Sequence, residues 1–321
     1  MGTHCFFSRL PTSHHHLNPK IATMKLNNLI CKTALTLLIA CPFYPVTAFS
    51  QAGQAADTMT IPPPSPTSSE PAMQEGWWTS QPKENKMLYT NLTAATLIGV
   101  WGLIEWDYGS EGWNEADEGW FEKDSKYGGA DKMGHFWSTY AFADALTGLY
   151  KSWGYSSDKA NLYAVLSAWT VQAAMEAGDA TSETQGFSYE DMAMNTLGAL
   201  TSMLMERYPE LDRKIDFRVE YVFNVSVNGI FDDYSNQYYS MVLKLDGFDA
   251  FQDNFLKYLE LSTGYYTRGY GESDEDTRSF YGGISINFSR LLNENGWEKT
   301  GKTLEYIQLP YTVLKASHDL E

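Results

Sequence analysis

The chain has 321 residues, with 23 Lys plus Arg against 40 Asp plus Glu and a formal net charge of −17. That balance supplies no basic stripe for phosphate and excludes nucleic acid as a partner. The three cysteines, Cys5, Cys31 and Cys41, all fall near the start, so no disulfide framework and no cysteine-based mechanism is expected in the body of the protein.

Residues 1–23, with His14, His15 and His16, read as an upstream extension rather than a metal site. Met24 opens a bacterial export signal over residues 24–50, in which Lys25 and Lys32 flank an apolar run from Thr33 to Ala40. Two processing outcomes stay open. Leu38-Ile39-Ala40-Cys41 fits a lipobox, which makes Cys41 a lipidated first residue; Ala48-Phe49-Ser50 fits an ordinary cleavage site. One acyl chain anchors only marginally, so the body would still need contacts with the membrane. Residues 51–76, rich in Pro and Ser, bury too little apolar surface to offset ordering entropy and read as a linker.

The segment 77–209 reads as a helical half. Residues 87–104 are nearly free of charge and about as long as a membrane span. Asn91, Thr93 and Thr96 dilute the run, so a core helix is expected. From Glu105 to Asp124 there are eight carboxylates and one lysine, interleaved with Trp106, Trp113 and Trp120. The alternating ligands of an EF-hand are absent, so a solvated loop is expected. Three further helices follow, at about 131–152, 158–177 and 189–207. After Pro209 the period becomes two: Phe217, Val219, Tyr221, Phe223, Val225 and Val227 alternate with mainly polar residues, and similar runs lie near 237–245, 255–267 and 279–288. The expectation is an α+β protein, an N-terminal bundle of about four helices followed by an antiparallel β-meander of about four strands over 210–310, with a tail at 311–321. Four aromatic-rich strands look like outer-membrane strands but cannot close a transmembrane barrel, so packing on the helices is expected.

His135 is the one histidine between residue 17 and residue 317. Asp131 lies four residues ahead of it, one helical turn away and on the same face. If the helices pack antiparallel, the start of the second helix (Asp131, Lys132, His135), the end of the third (Glu176, Asp179) and the start of the fourth (Ser188, Asp191, Asn195) meet at one end of the bundle. Each residue also has an ordinary explanation: Asp131 as an N-cap, Ser188 with Asp191 as a capping box, Asn195 bonded to backbone, His135 as a satisfied core imidazole. No cofactor is predicted. A metal held by one imidazole, carboxylates and an amide would suit magnesium, calcium or manganese better than a structural zinc. Ser188 is the one evident nucleophile, and no GxSxG surrounds it.

The runs GGADKMGHF, Glu176 with Asp179, GFSYEDMAMNTLGAL, DDYSNQYYSMVL and RSFYGGISINF resemble the YfiM-like predicted periplasmic lipoproteins, a domain of unknown function. Asp131-Lys132 with His135, then Asp191, Asn195 and Gly198, are more distantly similar to VanZ-like membrane proteins. The resemblance implies an exported cell-envelope protein and brings no reaction, ligand or cofactor. Two functions therefore stand. The first, favoured, is a non-enzymatic structural or binding component associated with the outer membrane or periplasm, its partner a membrane or envelope protein. The second is a ligand-binding or hydrolytic site for a lipid or cell-wall fragment, with His135 as general acid or base and Asp131 orienting it.

Overall fold

A computed structural model of the chain describes residues 76–223, 233–270 and 275–321. The upstream extension, the signal, Cys41 and nearly all of the linker lie outside the described residues, as do Val225 and Val227. Four long helices come first: α1 (Lys83–Glu105), α2 (Ala130–Ser152), α3 (Ser157–Asp179) and α4 (Tyr189–Arg207), then a single turn α5 (Pro209–Asp212) begun by its proline.

The four-residue turn after α2, with Gly154 at φ 88°, forces α3 to return alongside it. Small residues let the helices approach closely: Ala143, Ala160, Ala164 and Ala168 are fully buried. Gly198 of α4 lies against α2, where an added Cβ would meet the Phe136 carbonyl oxygen at 2.3 Å. Gly198→Ala must push these helices apart and is expected to cost about 1–3 kcal/mol, read as a shift in the urea midpoint. An unchanged midpoint would mean the α2–α4 contact is not close-packed.

The first helix departs from its expected role. Only Trp101 and Gly102 of α1 are buried, while Leu88, Leu92, Val100, Leu103 and Ile104 face outward. It is not a core helix, and among the described residues it alone is long and apolar enough to cross a membrane. Rows of exposed leucines also mark α3 (Leu162, Leu166) and α4 (Leu197, Leu200, Leu204). Lateral packing leaves one face of each of these three helices outside.

The strands are β1 (Ile215–Tyr221), β2 (Gln237–Lys244), β3 (Leu259–Arg268), β4 (Thr277–Ile286), β5 (Ile307–Gln308) and β6 (Val313–Leu320). β1 to β4 form the expected antiparallel meander. The full sheet is larger and mixed, in the order β5-β1-β2-β3-β4-β6, with β5 parallel to β1. Two short helices, α6 (Phe288–Glu294) and α7 (Glu298–Thr303), carry the chain from β4 to β5. Residues 313–320, expected as part of a tail, pair along β4. The sequence LKASHDL is polar and weakly alternating, so its strand character comes from an edge left open by β4 rather than from its own pattern.

This sheet is curled. Lys315 of β6 reaches Glu220 of β1 at 2.6 Å. In a flat sheet those strands would stand four spacings apart, roughly 19 Å. The curl wraps a polar interior. Asp216, Arg218 and Glu220 of β1, Ser240 and Lys244 of β2, and Glu260 and Ser262 of β3 share the inner face and are all buried. The alternate residues form the outer face. Part of it, Phe217, Val219 and Tyr239, packs on Ala130, Met133, Phe136 and Trp137 of α2. Of the remainder, Met241, Leu261, Phe280, Ile284, Ile286 and Leu314 are exposed and apolar.

Candidate functional site

Local sequence sets each arm of the site. Gly128 and Gly129 take φ of 62° and 84°, so the chain enters α2 through a left-handed turn and Gly129, not Asp131, is the N-cap. The expected capping role of Asp131 is thereby replaced: it sits one residue inside the helix with its carboxylate free to turn inward. Ser188 caps α4, its Oγ accepting from the Asp191 amide at 3.2 Å, which places Asp191 in the first turn and Asn195 one turn on. Glu176 is one turn before the end of α3, and its Oε2 accepts from the Ser188 amide at 3.3 Å, joining α3 to α4.

These three helix ends meet, and two acid cages share Asp191. In the first, Lys132 Nζ lies 2.8 Å from Asp131 Oδ2, 2.8 Å from Glu118 Oε2 and 3.0 Å from Asp191 Oδ1. The second holds the imidazole: His135 Nδ1 lies 3.5 Å from Glu176 Oε1, and His135 Nε2 lies 3.7 Å from Asp191 Oδ2. Asn195 Oδ1 lies 3.3 Å from Nδ1 and accepts from Thr139 Oγ1 at 2.8 Å. Gln172 of α3 donates to Ser138 and Thr139 behind the ring, at 2.8 and 3.2 Å.

Two assignments change as a result. The carboxylates beside His135 are Glu176 and Asp191, whereas Asp131 is turned to Lys132 and does not orient the ring. Glu118, assigned by composition to a solvated loop, points inward, its side chain 10% exposed. The loop is pinned by a bridge between Glu115 and Phe187 and by Asn114 Nδ2 donating to the Ala180 and Ser182 carbonyls at 3.2 and 3.0 Å. Nothing in the spacing of eight acids singles out Glu118; its role follows from a contact between chain segments about 70 residues apart. Thr139 and Gln172 were missed for the same reason. Ser188 is buried and spent on its cap, which leaves its hydroxyl badly placed as a nucleophile. Asp179 lies at the same helix end, outside both cages; the Tyr108 hydroxyl donates to the Met175 carbonyl of the same helix at 3.0 Å.

Acid outnumbers base, and the electrostatics follow. Burial, with the charges of Asp191 and Asp179 added, pushes the Glu176 carboxyl up to about 9. Burial raises Asp179 to about 7 and Asp191 to about 6, the latter against the pull of His135 and Lys132. Asp131 is also raised by burial, against Lys132. At Glu118 burial acts upward, but Lys132 and Lys126 together outweigh it and hold the carboxyl at about 2.

The raised carboxyls bind protons in the folded state that the unfolded chain has already released at ordinary values of 4.5 and 3.8. Each such group stabilises the fold at low pH and loses that contribution as pH climbs toward its folded value, by about 1.4 kcal/mol per pH unit. Thermal stability in EDTA should therefore fall between about pH 5 and pH 9, and Glu176→Gln should flatten the upper part of that decline. A wild-type melting temperature that rises across the same range would contradict the assignment.

The polar centre thus consists of three helix ends and one loop, all between residues 117 and 207. Residues 117–207 match the model of a family described as predicted periplasmic lipoproteins, a domain of unknown function (DUF2279). The matched stretch begins one residue before Glu118 and ends with α4, so it contains both cages entire and none of the strands. The similarity supports an exported, periplasmic lipoprotein domain. No curated protein and no solved structure matches the chain.

Proposed function

We propose that this protein is a non-enzymatic component of the cell envelope, seated on the outer membrane with its apolar faces against acyl chains. The closer likeness to YfiM-like proteins and the lipobox at Cys41 belong to the same reading. One observation carries it: the sheet is inverted relative to a water-soluble one, with Arg218, Glu220 and Glu260 buried inside and Phe280, Ile284, Ile286 and Leu314 exposed outside. Polar-in, apolar-out alternation is the pattern of strands that meet lipid. Exposed leucine rows on α1, α3 and α4 add to the apolar surface, which exceeds what scattered surface residues of a soluble monomer explain.

The test separates tether from body. In membranes fractionated on a sucrose gradient, Cys41→Ala should remain with the outer membrane, whereas Phe280→Glu/Ile284→Glu in the Cys41→Ala background should move to the soluble periplasmic fraction. If Cys41→Ala alone is fully soluble, the body does not hold lipid and the proposal fails. Palmitate labelling that is lost in Cys41→Ala would establish acylation independently.

A second reading, a site acting on a lipid or cell-wall fragment, is favoured by one specific feature: His135 keeps 13% of its side chain exposed beside a carboxyl raised to about 9. An imidazole next to such a proton-holding group can relay a proton. His135→Gln with unchanged melting behaviour and an altered envelope lipid or muropeptide profile would support this reading; an unchanged profile would remove it.

A further inference from the structure

The two cages differ in what neutralises them. The cage of Glu118, Asp131 and Asp191 surrounds a cation, the Lys132 ammonium, with three N···O distances between 2.8 and 3.0 Å. Its neighbour, which shares Asp191, gathers one donor atom each from His135, Glu176 and Asp191, all within 4.8 Å of one another, and among the described residues no lysine or arginine forms an ion pair with Glu176.

A second observation marks the same place. Glu176 is 1% exposed, and its Oε1 has no hydrogen-bond partner. A buried oxygen left without a donor forfeits its hydration at a cost of about 1–3 kcal/mol and calls for an explanation. Helix α3 is not short of neighbours at this level, since Glu176 Oε2 accepts the Ser188 amide. One oxygen of the carboxylate is thus committed to structure, and the other points at the imidazole.

We propose that His135, Glu176 and Asp191 bind a divalent first-row metal cation, manganese(II) being the best fit. Donors around such an ion stand about 3 to 3.5 Å apart when bonds are near 2.1 Å; Asp191 Oδ2 is 3.7 Å from Nε2, whereas Glu176 Oε1 is 3.5 Å from Nδ1, so closing the site on Nε2 requires the Glu176 side chain or the ring to rotate. The carboxylates suit manganese, magnesium and calcium while the imidazole favours a transition metal, and manganese(II) is the ion that meets both preferences. With Nε2 on the metal, the Nδ1 proton has Asn195 Oδ1 as its acceptor at 3.3 Å, and Thr139 in turn holds that amide. This outer arrangement fixes the ring orientation of metal-binding histidines. Lys132 neutralises the far side of Asp191, which limits the negative charge left at the ion. The assignment stands apart from the membrane reading, since it needs no lipid.

The experiment uses the full chain in detergent, freed of metal with EDTA and titrated with Mn(II), with Zn(II), Mg(II) and Ca(II) in parallel, by calorimetry and by electron-spin-echo spectroscopy on ¹⁵N-histidine-labelled protein. The expected result is a Mn(II) site with a histidine nitrogen coupling. That coupling should vanish in His135→Gln, and affinity should weaken at least tenfold in Glu176→Gln and in Asp191→Asn, each checked for an unchanged far-UV spectrum. His14, His15 and His16 are common to the wild type and all three variants, so they cancel in the comparison. If one variant fails to fold, the remaining two decide. Absence of a wild-type site for Mn(II) or Zn(II), affinity that no variant changes, or equal preference for Mg(II) and Ca(II) would overturn the assignment.

Discussion

Lys132→Met is expected to destabilise the protein by about 3–5 kcal/mol at pH 7.5, because it removes the buried cation that Glu118, Asp131 and Asp191 share, while Lys126, 3.3 Å from Glu118, pairs with that one acid of the three. The Lys132 side chain is 1% exposed, and its ammonium is within 3.0 Å of all three carboxylates, so solvent cannot take its place. The loss has a pH signature. Glu118 is held at about 2, below its ordinary 4.5, and so contributes stability that is present above the ordinary value and fades only as pH falls toward 2. Without Lys132 the sign reverses: the three acids take up protons, their folded values rise, and the variant is least impaired near pH 5 and worst near pH 8. Urea unfolding at both pH values measures the difference. A loss below about 1 kcal/mol at pH 8 would show that water reaches the cage.

Arg218→Met carries an effect of similar size in the other half of the molecule. The guanidinium lies 2.5 Å from Asp216 and 2.7 and 2.9 Å from the two oxygens of Glu260, and its NH1 also donates to Gln308 at 3.1 Å. It joins β1, β3 and β5 across the inside of the curl. Its removal strands Glu260, which is wholly buried, and the expected cost is again about 3–5 kcal/mol. Arg218→Lys should fare little better, since a single ammonium cannot reproduce the fork that meets both carboxylates. The double variant Arg218→Met/Glu260→Leu should recover a large part of the loss, because an apolar pair of similar volume carries no desolvation cost. If the double variant is no more stable than the single one, the interior is wet and the ion pairs are not what closes the sheet.

Both variants probe features that the sequence exposes only in part. Helix positions came directly from spacing: the breaks at Gly154 and at Gly178 to Gly186 separate three segments, mildly apolar on all sides, whose ends the structure places within a few residues of expectation. β1 to β4 were legible because Phe217, Val219, Tyr239 and their neighbours alternate with polar residues at a period of two. That alternation does not say which face is inside. In a chain with Asp216, Arg218 and Glu220 on one face and Phe217 and Val219 on the other, a reader expects the charges outside. The inversion became visible only with the curl that brings Lys315 to Glu220.

The convergence of Asp131, Lys132, His135, Glu176, Ser188, Asp191 and Asn195 at one end of the bundle was deducible, because short turns make consecutive helices antiparallel and so align alternate ends. The pairing among them was not. Charge alone offers Lys132 five nearby acids, and one-turn spacing favoured Asp131 as the neighbour of His135. The structure gives that place to Glu176 and Asp191, since the left-handed turn at Gly128 and Gly129 starts α2 one residue before Asp131 and rotates its carboxylate toward Lys132.

Local order was therefore fixed by the chain itself: four helices, a meander, and one imidazole among acids, all set by periodicity, turn residues and composition acting over a few residues. Tertiary contact alone decided that Glu118 joins the centre, that β6 completes a curled sheet, and that one acid cage holds an ammonium while its neighbour holds none. Those outcomes depend on which distant groups share a desolvated space, and the cost of burying charge is a property of that space rather than of any stretch of sequence.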